Sequence, residues 1–307
     1  MNSAYIGKLM ELAERDKSVI HLLADSGTGY DEMFRRNFPD QIYNFGIGEQ
    51  NMVAVAAGMA SAGKKPFVFT AGAFLAYRSM EFIRNDVCFQ NLNVKIVGMG
   101  SGLSWSSLGP THHTTEDIAV LRAIPNLMIM LPATPIQVRE CVQMAYDHDG
   151  PVYIGIGMNR EREFYPDDHK YEKNADSLLI DGDDITVYVT GSILEEAYKA
   201  CELLKADGIS PRLINVTMIK PFDVGSVIET AKKTKRIVTV EEHNIYGGLA
   251  GIISEINSFN GLGIRVIPVG INDCFAEGYG DRSTVRRKNG LDAMSIYLRI
   301  KEVVNGE

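Results

Sequence analysis

The chain predicts an α/β protein of two domains, each a mostly parallel sheet flanked by helices. Three observations carry that prediction. Short β-rich runs alternate with helix-length stretches along the whole sequence, the pattern of βαβ units with largely buried parallel strands. The polar stretch NREREFYPDDHKYEKNADSLLIDGDD at 159–184 interrupts this rhythm and reads as a linker. The 307 residues, 45% hydrophobic and 23% charged, suffice for two cores and are ordinary for a soluble globular protein. The expected division is 1–165 for the first domain, 166–182 for the linker and 183–307 for the second domain.

In chain order, Tyr5, Ile6, Leu9, Leu12 and Ala13 recur at helical spacing among charges and predict an amphipathic opening helix. Aliphatic and β-branched runs predict strands at 19–24, 66–70, 94–98, 127–131 and 152–156. A second set is expected at 185–189, 212–216, 236–240 and 265–269, with helices at 136–146, 194–206 and 224–233. The run VAVAAGMA at 53–60 holds no charge and predicts a helix buried on nearly all sides.

The composition excludes several function classes. Net charge is −8 and no Lys/Arg block stands out, which argues against nucleic acid or an anionic membrane as partner. Cys88, Cys141, Cys201 and Cys274 are far apart, so neither a disulfide framework nor a zinc knuckle is indicated. The opening helix is amphipathic and not a signal h-region, and no apolar run is long enough to cross a bilayer. A reducing, cytoplasmic location is the expectation.

A candidate site follows from topology. In open parallel sheets, ligands bind outside the carboxyl ends of the strands. Three segments are expected at that edge of the first sheet: Gly46-Ile47-Gly48-Glu49, the stretch from Thr70 to Tyr77, and the Gly/Ser-rich loop 98–113. Together they bring a carboxylate, two aromatics three residues apart (Phe74 and Tyr77), and the pair His112-His113. Glu49 alone is explained by the helix dipole, and Phe74 and Tyr77 singly by core packing; their convergence is what points to a site. Gly98-Met99-Gly100-Ser101-Gly102 is no dinucleotide fingerprint, because no helix opens after it and no third glycine falls at the right spacing. Adjacent histidines project differently, so His112, His113 and Glu116 fit a loop histidine facing a substrate better than a metal site. Thr114-Thr115-Glu116-Asp117 reads as a helix cap, and His243–Gly248 as a strand-to-helix turn. Neither a G-D-G motif followed by paired Asn nor a Walker loop occurs.

The segments IYNFGIGEQNMVAVAAGMASAGKKPFVFTAGAFLAYRSMEFIRNDVCFQNLNVKIVGMGSGLS, GPTHHTTEDIAVLRAIPNLMIMLPAT and GPVYIGIG closely resemble the pyrimidine-binding domain of transketolases. VTGSILEEAYKACELLKADGISPRLINVTMIKPFD and IVTVEEHNIYGGLAG resemble that family's C-terminal domain. The resemblance covers almost the whole chain. It implies the C-terminal subunit of a split transketolase, which transfers a two-carbon ketol unit from a ketose to an aldose with thiamine diphosphate. It implies Glu49 as the glutamate that hydrogen-bonds a ring nitrogen of the cofactor's aminopyrimidine, and His112 as a proton-transferring histidine of the substrate channel. Cofactor contacts are implied at Asp25, Ser26, Gly46, Ile47, Gly48, Phe74 and Tyr77, with no metal ligand on this chain. The absent G-D-G motif then places Mg²⁺ and diphosphate binding on an N-terminal partner subunit, in a heterotetramer of two copies of each chain acting on sugar phosphates. This chain departs from the family pattern at Gly100, often histidine, and at Leu108, often aspartate. It also has no arginine in the strand at 152–157, where relatives often face the sugar phosphate; Arg160 and Arg162 lie nearby but displaced. The other readings are the beta subunit of a 2-oxoacid dehydrogenase, a deoxyxylulose phosphate synthase, and a non-catalytic partner that kept the fold.

Overall fold

A computed structural model describes residues 1–25, 29–158, 161–169 and 177–306. The first half carries β1 (Val19–Leu23), β2 (Ile42–Asn44), β3 (Lys65–Ala71), β4 (Lys95–Met99), β5 (Met128–Met130) and β6 (Val152–Ile156). The second half carries β7 (Ser177–Ile180), β8 (Ile185–Thr190), β9 (Pro211–Val216), β10 (Met218–Lys220), β11 (Arg236–Asn244) and β12 (Arg265–Ile271). Helix α1 (Asn2–Arg15) opens the chain, α2 (Gly29–Asn37) joins β1 to β2, and α3 (Glu49–Ser61) joins β2 to β3. The two-domain α/β architecture is as the sequence predicts.

The first sheet has the order β10-β5-β6-β4-β3-β1-β2, and the second β12-β11-β8-β9-β7. Pairing is parallel except at one edge of each sheet, where β10 runs antiparallel to β5 and β7 to β9. Strands β1, β4 and β6 are buried throughout, because helices cover both faces. The strands absent from the sequence reading are β2, β7 and β10, of three or four residues each. Such lengths are too short for periodicity to register. Strand β7 also lies within the stretch read as linker. Strand β10 comes from the second half yet completes the edge of the first sheet, so the two halves interlock. A continuous apolar cluster, including Ile96, Tyr153, Tyr188, Val216 and Ile253, runs between them.

Helix α3 is buried along one face only: Glu49, Met52, Val53, Ala56 and Ala57, at i, i+3, i+4, i+7 and i+8. Asn51 and Gly58 are exposed, and Ala54 and Val55 are half-buried. The expectation of burial all round rests on an apolar run whose residues are mostly small. Alanine and glycine are tolerated at the surface, so their presence does not report on burial.

Candidate active site

Strand order places the site. Strand β1 lies between β2 and β3, and the chain crosses from one side of it to the other through α3, which makes β1 a topological switch point. At the carboxyl ends of β1, β3 and β4 a cavity of about 250 Å³ opens, lined by Asp25, Ile47, Glu49, Phe74, Trp105 and His112 together with Ala24, Thr70, Ala71, Met99 and Leu108. A larger hollow of about 590 Å³ lies near Lys17, Gln41 and Lys64, which precede β1, β2 and β3. That is the amino-terminal edge, where parallel sheets do not gather ligand-binding loops. Topology, not volume, selects the smaller cavity.

Local structure aims each side chain. Strand ends are tied together: Thr70 Oγ1 donates to the Ala24 carbonyl at 2.9 Å, and the Phe45 amide to the Leu23 carbonyl at 2.8 Å. Asn44 Oδ1 accepts from the Gly46 amide at 2.8 Å, and Gly46 sits at φ +61°. This turn needs glycine for its backbone, since a Cβ at Gly46 would meet nothing. It leaves Ile47 81% exposed and drops Glu49 to 3% at the first turn of α3.

Glu49 is not alone in an apolar wall. Arg78 Nη1 donates to its Oε2 at 2.9 Å, and the same guanidinium lies 4.9 Å from the centroid of the Phe74 ring. Among the described residues no donor reaches Glu49 Oε1, which leaves that oxygen available at the cavity wall. The π-helical turn Phe74–Arg78 explains the geometry. In an i→i+5 turn the residue four positions on returns nearest to the starting side, so Arg78 aligns with Phe74, whereas in an α-helix residues three and four apart share a face. Tyr77 is turned out of the cavity instead. Its hydroxyl donates to Glu116 Oε2 at 2.7 Å and accepts from the Glu116 amide at 2.9 Å.

The histidine pair separates as adjacent loop residues must. His112 lines the cavity, with its ring 5.1 Å from Phe74 in an edge-on arrangement and its Nδ1 2.9 Å from Thr111 Oγ1. His113 is 2% exposed, and burial pushes its pKa down. The expected cap at 114–117 is not made. The short helix Asp117–Leu121 is preceded by Glu116 with no side-chain cap, and Thr115 Oγ1 donates to Glu116 Oε1 at 2.8 Å.

The second domain holds this loop in place. Ser106 Oγ donates to the Gly280 carbonyl at 2.8 Å, and the Leu103 amide to Glu242 Oε2 at 3.3 Å. Glu242 is in turn held by Arg282 and by Arg286, whose Nε lies 2.6 Å from Glu242 Oε1.

Of the residues the sequence singled out, the cavity therefore gathers Asp25, Ile47, Glu49, Phe74 and His112. Gly46 and Gly48 flank Ile47 without lining the cavity, Tyr77 is elsewhere, and Ser26 and Arg160 lie outside the described residues. Arg78 and Trp105 were missed. Arg78 stands four residues after Phe74, a spacing that shares a face in either kind of helical turn, and Trp105 sits in a loop without periodicity. Among the described residues no group of three His, Cys, Asp or Glu side chains could hold a metal ion. Among them, too, no helix is long and apolar enough to cross a membrane.

Residues 1–158 match the transketolase pyrimidine-binding domain and residues 177–296 the transketolase C-terminal domain. The chain belongs to the transketolase family. It carries the pyrimidine-binding and C-terminal domains of that family. A protein of Methanocaldococcus jannaschii described as a transketolase C-terminal section is 36% identical over 100% of this chain and 97% of its own length. A subunit of the apulose-4-phosphate transketolase of Phocaeicola vulgatus is 36% identical over 87% of this chain and 86% of its own. A solved structure described as a split gene transketolase, an inactive beta4 tetramer, superposes with a TM-score of 0.88. It is 33% identical and covers 99% of this chain and 97% of that one.

Proposed function

We propose that this chain is the pyrimidine-binding subunit of a thiamine diphosphate-dependent transketolase, moving a two-carbon ketol unit from a ketose to an aldose. The observation that carries the reading is Glu49: a 3% exposed carboxylate at the switch-point cavity that Phe74 also lines, with one oxygen held by Arg78 and no donor on the other among the described residues. That pairing of acceptor and aromatic face fits an aminopyrimidine. When bound, the cofactor supplies the nucleophilic carbon and electron sink needed to cleave and remake the carbon–carbon bond. Glu49 would hold a proton at the pyrimidine ring nitrogen, Arg78 keeps the carboxylate oriented, and Phe74 and Ile47 would pack on the ring. His112, its Nδ1 engaged by Thr111, offers Nε2 for proton movement at a sugar hydroxyl.

The same cavity does not fit the diphosphate. Among the described residues no lysine or arginine lines it, and its charged residues are Asp25 and Glu49. Phosphate and Mg²⁺ call for cationic forks and clustered oxygen ligands. We therefore assign those contacts to an N-terminal subunit, with two copies of each chain and the site between them. The naming of relatives as one subunit of a transketolase supports a partner chain, as does the description of the beta4 tetramer as inactive. The test is reconstitution with a diphosphate-binding partner. Ketol transfer that requires thiamine diphosphate and Mg²⁺ is expected, and its absence with every ketose donor would refute the proposal.

A further inference from the structure

Trp105 is the chain's single tryptophan, and it stands in the cavity wall beside Met99, Leu108 and His112. Its polar edge is turned away from the cavity. A Cβ at Gly100 would lie 2.0 Å from the indole Nε1 and 2.3 Å from Cδ1, so the ring fills the space a side chain there would take. Gly100 is at φ +83°, and its amide donates to the Ile156 carbonyl at 2.8 Å, which anchors the backbone behind the ring to the end of β6. The indole N–H is buried with no acceptor among the described residues. What the cavity meets is therefore indole carbon, with Met99 and Leu108 on the same side and the His112 ring 6.3 Å away.

We propose that Trp105 is a specificity-determining residue of this site. It selects acceptors that present uncharged carbon surface to it, such as an unphosphorylated short aldose, over aldose phosphates. The proposal rests on the ketol-transfer reading above. Charge and desolvation carry the argument. A phosphate brought against this wall gives up water, finds no cation among the described lining residues, and meets the carboxylate of Asp25, while the charge of Glu49 is paired with Arg78. An aromatic face and two aliphatic side chains instead favour the C–H face of a neutral sugar, whose hydroxyls remain free for His112.

The test uses the reconstituted complex with glyceraldehyde and glyceraldehyde 3-phosphate as acceptors. Wild type is expected to favour glyceraldehyde at least ~10-fold in kcat/KM, one decade being 1.36 kcal/mol of barrier. Trp105→Gln should erase most of that preference through KM, whereas Trp105→Leu, which keeps an apolar wall, should retain it. A wild-type preference for the phosphate, or a ratio unmoved by Trp105→Gln in a folded protein, overturns the proposal. If no acceptor turns over, the ketol-transfer reading fails on its own. Binding then decides, read as the emission difference between wild type and Trp105→Phe. A response at lower concentration for glyceraldehyde than for its phosphate upholds the role of Trp105, and any other result overturns it.

Discussion

The guanidinium of Arg78 lies across the Phe74 ring and donates to Glu49 Oε2 at 2.9 Å. One cation thus ties together the carboxylate and the aromatic face of the site. Phe74 and Arg78, four residues apart, share one side of the wide turn that carries them, and wide turns of this kind recur at functional sites.

Glu49→Gln should lower turnover of the reconstituted enzyme by ~10²–10⁴-fold, the range for lost acid–base assistance. The melting temperature should barely move. Arg78 has a side chain 44% exposed, and ion pairs reaching solvent in this way contribute about 1 kcal/mol at most. Arg78→Met should reduce turnover and also cost stability, because it leaves the 3% exposed Glu49 carboxylate without its cation, and Arg78→Lys should restore part of both. Near-wild-type turnover in Glu49→Gln would remove Glu49 from the mechanism.

The chain alone should bind thiamine diphosphate weakly. It offers the pyrimidine a carboxylate and a ring face, but among the described residues no lining cation for the diphosphate. Charge-assisted contacts to phosphate and metal carry much of such a ligand's affinity. Calorimetry should show little heat until the partner is added, and tight Mg²⁺-dependent binding by the lone chain would contradict the division of labour.

Glu242 gives the fold a dependence on acid. Burial works to raise its pKa, but the guanidiniums of Arg282 and Arg286 overcome that and hold it at about 2, against an ordinary 4.5. A depressed carboxyl contributes stability that is complete above the unfolded value and is lost as pH falls toward the folded one. Wild type should therefore lose stability between pH 4.5 and about 2. Glu242→Gln should be less stable at neutral pH, by no more than about 3 kcal/mol, because Arg282 keeps Glu161 at 3.3 Å and Arg286 keeps Glu196 at 3.8 Å, and should show a shallower acid decline. Thermal melts of both proteins across that window provide the measurement; parallel curves would exclude the contribution.

Two glycines with left-handed backbones should differ in what alanine costs. Gly46 is at φ +61° with open space around a Cβ, so Gly46→Ala should cost about 1–2 kcal/mol of backbone strain alone. Gly100 is at φ +83°, with the Trp105 ring 2.0 Å from the Cβ position, so Gly100→Ala should add about 1–3 kcal/mol of overpacking. Denaturant midpoints that rank the two equally would mean the indole yields without cost.

The sequence by itself determined the class of fold and most of its elements. The helices at Leu194–Ala206 and Val224–Lys233 and the strand Val152–Ile156 lie where apolar periodicity puts them, because burial of one face or of a whole strand leaves a direct trace in residue order. It also placed Glu49, Phe74 and His112 at one edge of one sheet, since they follow strands in a parallel arrangement and that arrangement has a single ligand-binding edge. What only the tertiary structure decided is which side chains meet there. Tyr77 leaves the cavity because the turn after β3 is wide, and Arg78 reaches Glu49 because that turn packs against α3, as it does against the helix Asp117–Leu121. Trp105 enters the cavity wall because Gly100 vacates the volume its indole fills, and the loop bearing it is held by Gly280 and Glu242 from the other domain. Local sequence encodes backbone preference and burial pattern. Contacts between segments more than a hundred residues apart depend on how the two sheets pack, and no local pattern records that.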